Sequence, residues 1–368
     1  MNAFHSLRGT KAILLTLGVL GGMVAVAFYR SSGPPNAASL DPAQAQVWEK
    51  IAPRLRQADS DSAQAGEQNL QRIKDFFAEN QQRTGAFADA VLGWGGKWTF
   101  VKGKFFGDDG KGHQEFLRKT FEQHLFTNRD LQKLLQVTVA GYLSELEGQE
   151  NALLVAIRAD MSEQEIPAVR SLAALHSDEA FQDAYRKTLA EVVPVVSRDL
   201  KITVGREAAV WVGSEIAAAV TVRIGSAVAV RLGVSGGILG TGAASGVATL
   251  GVGLVVGFVV DGAVDWIMRR AGYDPAGQIA NQTWATLVRI QDLLIEGDPE
   301  AKRMYEKLRR QQNEDSFSQV REECRQAAER LSAGGSLGLR HEFNRLRELR
   351  SNLREVALKQ LILNGGEL

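Results

Sequence analysis

Asp261 and Asp265 stand four residues apart, with Arg269 one further turn along, directly after the longest uncharged stretch of the chain. On a helix the three share one face. Two carboxylates at the end of an apolar helix suit the holding of a cation or proton at the mouth of a pathway, since each favours positive charge beside the other. The competing assignment is an interfacial cluster, in which Asp265 pairs with Arg269 and Trp266 anchors at headgroup level.

A second group with binding chemistry lies in residues 85–112, where glycine, aromatic and lysine residues interleave. Trp94, Lys97, Trp98, Lys102, Lys104 and Phe105 combine ring faces with ammonium groups, which suits a lipid headgroup layer or an anionic ligand. A loop or short hairpin that plugs the end of a helical bundle would use the same rings for packing. Asp108-Asp109-Gly110 lacks the alternating oxygen ligands and terminal Glu of a calcium loop.

Other chemistry has no visible seat. His5, His113, His124, His176 and His341 form no HExxH and no Glu-x-x-His pair, and the phosphate-loop pattern is absent. Cys324 is the only cysteine, so an intrachain disulfide and a cysteine zinc cluster are both excluded. Lys plus Arg and Asp plus Glu number 43 each, and this balance gives no electrostatic footprint for nucleic acid. The expectation is a non-enzymatic protein with no catalytic residues, no cofactor and no metal.

The element that must position Asp261 and Asp265 is Leu232 to Val260, which carries no charged side chain. From Ile238 it is roughly 23 residues, about 35 Å as a helix, enough to cross a hydrocarbon core of about 30 Å. Gly233 with Gly237, Gly242 with Gly246 and Gly253 with Gly257 fall at small-xxx-small spacing. Such faces let a second backbone approach closely. Glycine costs close to 1 kcal/mol per residue in an aqueous helix, whereas hydrocarbon forces every amide to be satisfied within the segment. A transmembrane, glycine-zippered helix is therefore expected; the competing reading is the central helix of a large soluble bundle.

The chain opens with Arg8, Lys11 and the apolar run Ala12 to Phe28. This pattern predicts a membrane anchor over residues 1–30, with the amino terminus cytoplasmic and the chain after residue 31 extracytoplasmic at the inner membrane. Ala25-Val26-Ala27 also offers a signal-peptide cleavage pattern. Residues 31–40 read as a linker. A helical body follows over 41–202, with helices from Asp41-Pro42, from Ser62 to Gln82, from His113 to Phe126, and from a Thr127/Asp130 capping box to about Asp160 with Gly148 as a break.

Apolar helices occupy 203–270, and within them Glu215 and Arg223 make Thr203 to Arg231 a poor lone span. Residues 271–368 predict helices over Pro275–Glu296, Pro299–Leu331 and Leu339–Leu363, the last two forming an antiparallel hairpin. The fold class is thus all-α, a multi-helix bundle with an amino-terminal anchor, a Gly-rich hydrophobic helix and a carboxy-terminal helical hairpin. The expected partners are the lipid bilayer and a second copy or another membrane helix, with a structural, scaffold or assembly role. The alternative is an oligomeric channel lined by the Gly-rich helix, with Asp261 and Asp265 at its mouth.

Overall fold

The computed structural model describes residues 42–93, 111–162, 180–182, 184–186, 213–231 and 275–363. The described residues are all-helical, without a strand. Their main helices are α1 (Pro42–Gln82), α2 (Thr84–Leu92), α3 (Lys111–His124), α4 (Asn128–Ser162), α5 (Gly213–Arg231), α6 (Pro275–Ile295), α7 (Pro299–Glu314), α8 (Ser318–Ala333) and α9 (Gly338–Leu363). None of these is long and apolar enough to cross a membrane. The two runs expected to do so, Ala12 to Phe28 and Leu232 to Val260, lie outside the described residues, as do the linker and residues 94–110.

The chain divides into two compact units. Unit 1 draws on Met1–Ser62, Leu146–Val212 and Leu346–Leu368, and unit 2 on Ala63–Glu145 and Gly213–Arg345. Helices α1, α4 and α9 contribute residues to both.

Unit 1 buries Val47 and Ile51 of α1, Leu153, Leu154 and Ile157 of α4, and Leu353, Leu358 and Leu361 of α9, together with Phe181 and Tyr185. These positions recur at the three- and four-residue spacing of one helix face. Polar groups cross the same ground. Asp59 of α1 accepts from Arg354 at 2.6 Å and from Ser351 at 3.0 Å. Glu150 of α4, nearly fully buried, takes a hydrogen bond from the Tyr185 hydroxyl and pairs with Arg350. Burial, and then the Glu150 charge, push the Tyr185 hydroxyl well above its ordinary range, so it remains a donor.

Unit 2 is built around an aromatic cluster. Phe76 and Phe77 of α1, Phe87 of α2, Phe121 of α3 and Phe126 meet edge-on or tilted, with ring centroids 5.2 to 5.9 Å apart. Edge contacts suit the ring quadrupole. Helix α2 packs against both α3 and α6, and α6 packs against α5. Tyr142 of α4 stacks on Phe343 of α9 at 4.2 Å and donates its hydroxyl to the Phe343 carbonyl. Gly66 of α1 faces both rings, where a Cβ would stand 3.6 Å from each.

Several expected boundaries shift, each for a physical reason. The two helices expected over 42–82 are one helix of 41 residues, which carries Pro53 inside it. The cost of an interior proline is met by burial of Ile51, Ala58, Leu70, Ile73 and Phe77 along its length. Gly148 does not break α4. The capping box does form: the Asp130 carboxylate accepts from Thr127 N at 2.8 Å and Thr127 Oγ1 accepts from Asp130 N at 3.2 Å.

The helix expected over Pro299–Leu331 is instead two, split at residues 315–317. Asp315 adopts an extended backbone and its carboxylate accepts from Phe317 N at 2.8 Å, a local bond that competes with the helical ladder. The tight pair in this region is therefore α7 with α8, while α9 packs on α1 and α4 through Phe343.

Candidate functional site

The most polar junction of unit 2 forms where α5, α6, α7, α8 and α9 converge, and three glycines with positive φ build it. Gly297 ends α6, and Gly335 and Gly338 bracket the turn between α8 and α9, with φ of +79°, +75° and +79°. Only glycine enters this region without strain. The Asp298 amide donates to the Ser336 carbonyl at 2.7 Å, tying the α6–α7 turn to the α8–α9 turn. Gly335 lies so close to α5 that a Cβ would fall 2.7 Å from the backbone of Arg223.

Charged side chains fill the space around this backbone contact. Glu342 of α9, with 0% of its side chain exposed, pairs with Arg223 of α5 at 3.1 Å and lies 3.4 Å from Arg345. Arg223 Nε, Arg345 Nη2 and Glu342 Oε1 are buried and make no hydrogen bond. Burial pulls the Arg223 guanidinium below its ordinary range, and Glu342 opposes that. Arg340 donates to Glu296 at 2.8 Å and pairs with Glu67 of α1, and Lys302 reaches the same Glu296 at 3.0 Å. Arg231, the last residue of α5, pairs with Asp298 at 3.3 Å and Glu300 at 3.0 Å. Asp298 also caps α7, accepting from Glu300 N.

His341 sits at the centre of the cations. Its Nε2 lies 2.8 Å from Ser332 Oγ, and its ring meets Tyr305 edge-on at 5.0 Å. Burial first, then Arg345, Lys302 and Arg309, lower its pKa to about 4, so the ring is neutral at pH 7. A neutral imidazole beside a serine hydroxyl is the start of a nucleophilic pair. Ser332 is buried, however, and the adjacent Gly334 and Gly335 amides already donate to the carbonyls of Arg330, Leu331 and Ser332. Those two amides are therefore already committed within the turn. The geometry of the His341–Ser332 pair clasps the end of α8 to the first turn of α9.

The candidates named from sequence, Gly233, Gly237, Gly242, Gly246, Gly253, Gly257, Asp261, Asp265, Arg269, Trp94, Lys97, Trp98, Lys102, Lys104 and Phe105, lie outside the described residues. Among the described residues no group of three or more His, Cys, Asp or Glu is placed to hold a metal. Cys324 is buried on α8, as its helix-face position suggests.

Sequence reading passed over Glu342, although a signal for it exists. Leu339, Phe343 and Leu346 are all buried, so a Glu three residues after Leu339 falls inside the apolar stripe and needs a cation. Arg223, inside an apolar segment, presents the complementary need. Compared with protein-family models, curated proteins and solved structures, the chain matches none.

Proposed function

We propose that this chain is a non-enzymatic, membrane-anchored helical scaffold of the inner membrane, held by its amino-terminal apolar run and by a glycine-faced helix over 232–260. The carrying observation is the uncharged stretch itself, whose paired glycines give close-approach faces to another helix. It follows directly on α5, whose end is tied by Arg231 to the start of α7, so the apolar run would leave from a fixed point of unit 2. The partner in the membrane is a second copy or another glycine-faced helix, and the helical units outside the bilayer position further proteins.

Two measurements test this reading. Replacing Gly242, Gly246, Gly253 and Gly257 together by Leu should abolish detergent-resistant association of the full chain. Association as strong as that of the parent would remove the glycine role. In a Cys324→Ser background, single cysteines at exposed Ser60 and Ser316 should label from the same side of intact cells, because α1, α4 and α5 before the run pack with α7 and α9 after it, so the run must enter and leave the bilayer on one face. Labelling from opposite sides would overturn this placement of the run.

A further inference from the structure

Helices α7 and α8 form an arm that is unusually poor in buried side chains. Helix α7 buries none of its residues, and α8 buries Cys324, Ala328 and Ser332. Three large apolar side chains stand open on it: Phe317 at the tip, 75% exposed, Met304 on α7, 58% exposed, and Val320 on α8. Single exposed apolar residues are ordinary, but three on a two-helix arm that buries so little of itself give it apolar area that gains from being covered.

The charges say by what. The arm from Asp298 to Ala333 is formally neutral, yet the charge is divided along its length. Between Asn313 and Glu323 the tip holds Glu314, Asp315, Glu322 and Glu323 against Arg321 alone. The remainder, Asp298–Gln312 with Cys324–Ala333, holds seven Lys and Arg against four Asp and Glu. The tip is thus negative by three and the stem positive by three. Arg303, Lys307 and Glu314 are exposed and make no ion pair among the described residues. An anionic lipid layer or a nucleic acid would suit the stem but be repelled by the tip. A second arm laid antiparallel matches both halves at once, tip on stem and stem on tip.

We propose that the α7–α8 arm is a self-association surface that pairs antiparallel with the same arm of a second copy of this chain. The pairing is isologous: Phe317 of each copy lies along the stem of the other near Met304, and both ends are made by the same residues in exchange. Helix α7 is about 24 Å long at 1.5 Å per residue, so the two tips sit far apart and like charges do not meet. A parallel pairing would place tip on tip, and charge complementarity therefore sets the direction while the apolar side chains supply the contact. This surface is separate from the glycine faces and does not depend on the membrane reading.

The test uses the full chain in mild detergent, in a Cys324→Ser background. One preparation carries Met304→Cys and the other Phe317→Cys, and the two are mixed and oxidised or treated with a short bismaleimide. A 304–317 cross-linked dimer is expected in excess over 317–317. The pair Arg303→Glu with Lys307→Glu in both preparations should cut this product about tenfold or more, and so should Glu314→Arg with Glu323→Arg. Mixing the stem-reversed chain with the tip-reversed chain should restore it, an outcome that misfolding of either variant would not give. Equal or dominant 317–317 product, no cross-link at tens of micromolar, reversals without effect, or failure of the mixed pair to recover would each overturn the proposal. Because the readout is the position of the cross-link, loss of glycine-mediated association leaves it unchanged, so the two readings fail separately.

Discussion

Acidification should loosen the junction held by His341. In the folded chain the ring titrates near 4, against about 6.5 when unfolded, because burial and the cations Arg345, Lys302 and Arg309 all disfavour its charge. As pH falls, the unfolded chain takes up the proton first. The stabilisation is present above pH 6.5, is lost progressively below it, and is gone below pH 4. At 1.36 kcal/mol for each tenfold difference in proton affinity the full loss is about 3 kcal/mol. The ring is only half-buried, and solvent screening brings this nearer to 2 kcal/mol. The Ser332 contact itself survives protonation, since imidazolium can donate to the hydroxyl, so the loss is electrostatic. His341→Gln keeps a polar group beside Ser332 and cannot take up the charge. Hydrogen exchange of peptides spanning residues 331–345, corrected for intrinsic rates, reports the local opening free energy. Between pH 7 and pH 4.5 the parent should lose about 2 kcal/mol more than the variant. Parallel pH curves for the two proteins would refute the argument, as would a His341 ring that titrates at 6.5 or above.

Two further substitutions probe the same junction. Gly335→Ala places a methyl group 2.7 Å from the Arg223 backbone in a left-handed conformation, so thermal unfolding should show a loss of at least about 2 kcal/mol, more than the 1–2 kcal/mol of the conformation alone. Glu342→Gln leaves Arg223 and Arg345 without their buried counter-ion and should cost about 3–5 kcal/mol in chemical denaturation. Glu342→Met combined with Arg223→Met should cost clearly less than Glu342→Gln alone.

Helical periodicity made most of the described architecture legible, because the apolar faces of α1, α4, α6 and α9 recur at three and four residues over long spans. Thr127 with Asp130 and Asp298 with Pro299 announced helix starts through side chains that act on their own neighbours. What could not be read depends on neighbours distant in sequence. The continuity of α1 through Pro53 is decided by packing rather than propensity, and the split at Asp315 comes from one side-chain bond outweighing a regular charge pattern. The candidate site was the least legible part. Gly335 and Gly338 mark a turn in any sequence, but the Arg223 backbone that Gly335 meets is more than a hundred residues away, and no local rule pairs Arg223 with Glu342.

The relative size of the forces at this junction decides what fixes the end of α5. Arg231 reaches Asp298 and Glu300, but it is more than a third exposed and Glu300 is mostly in solvent, so each pair contributes at most about 1 kcal/mol. A cation in the last turn of α5 and carboxylates in the first turn of α7 are already favoured by the helix dipoles, independently of one another. The buried Arg223–Glu342 pair gains more from Coulomb attraction, yet returns much of it as desolvation and leaves polar atoms unpaired. Backbone contact is different in kind. Gly335 against Arg223 admits no side chain, cannot slide by one residue without a clash, and is locked from the other side by the Asp298 to Ser336 hydrogen bond. The register of α5 is therefore set two turns before its end by a glycine turn, with the ion pairs at Arg231 as adjustments to a position already chosen.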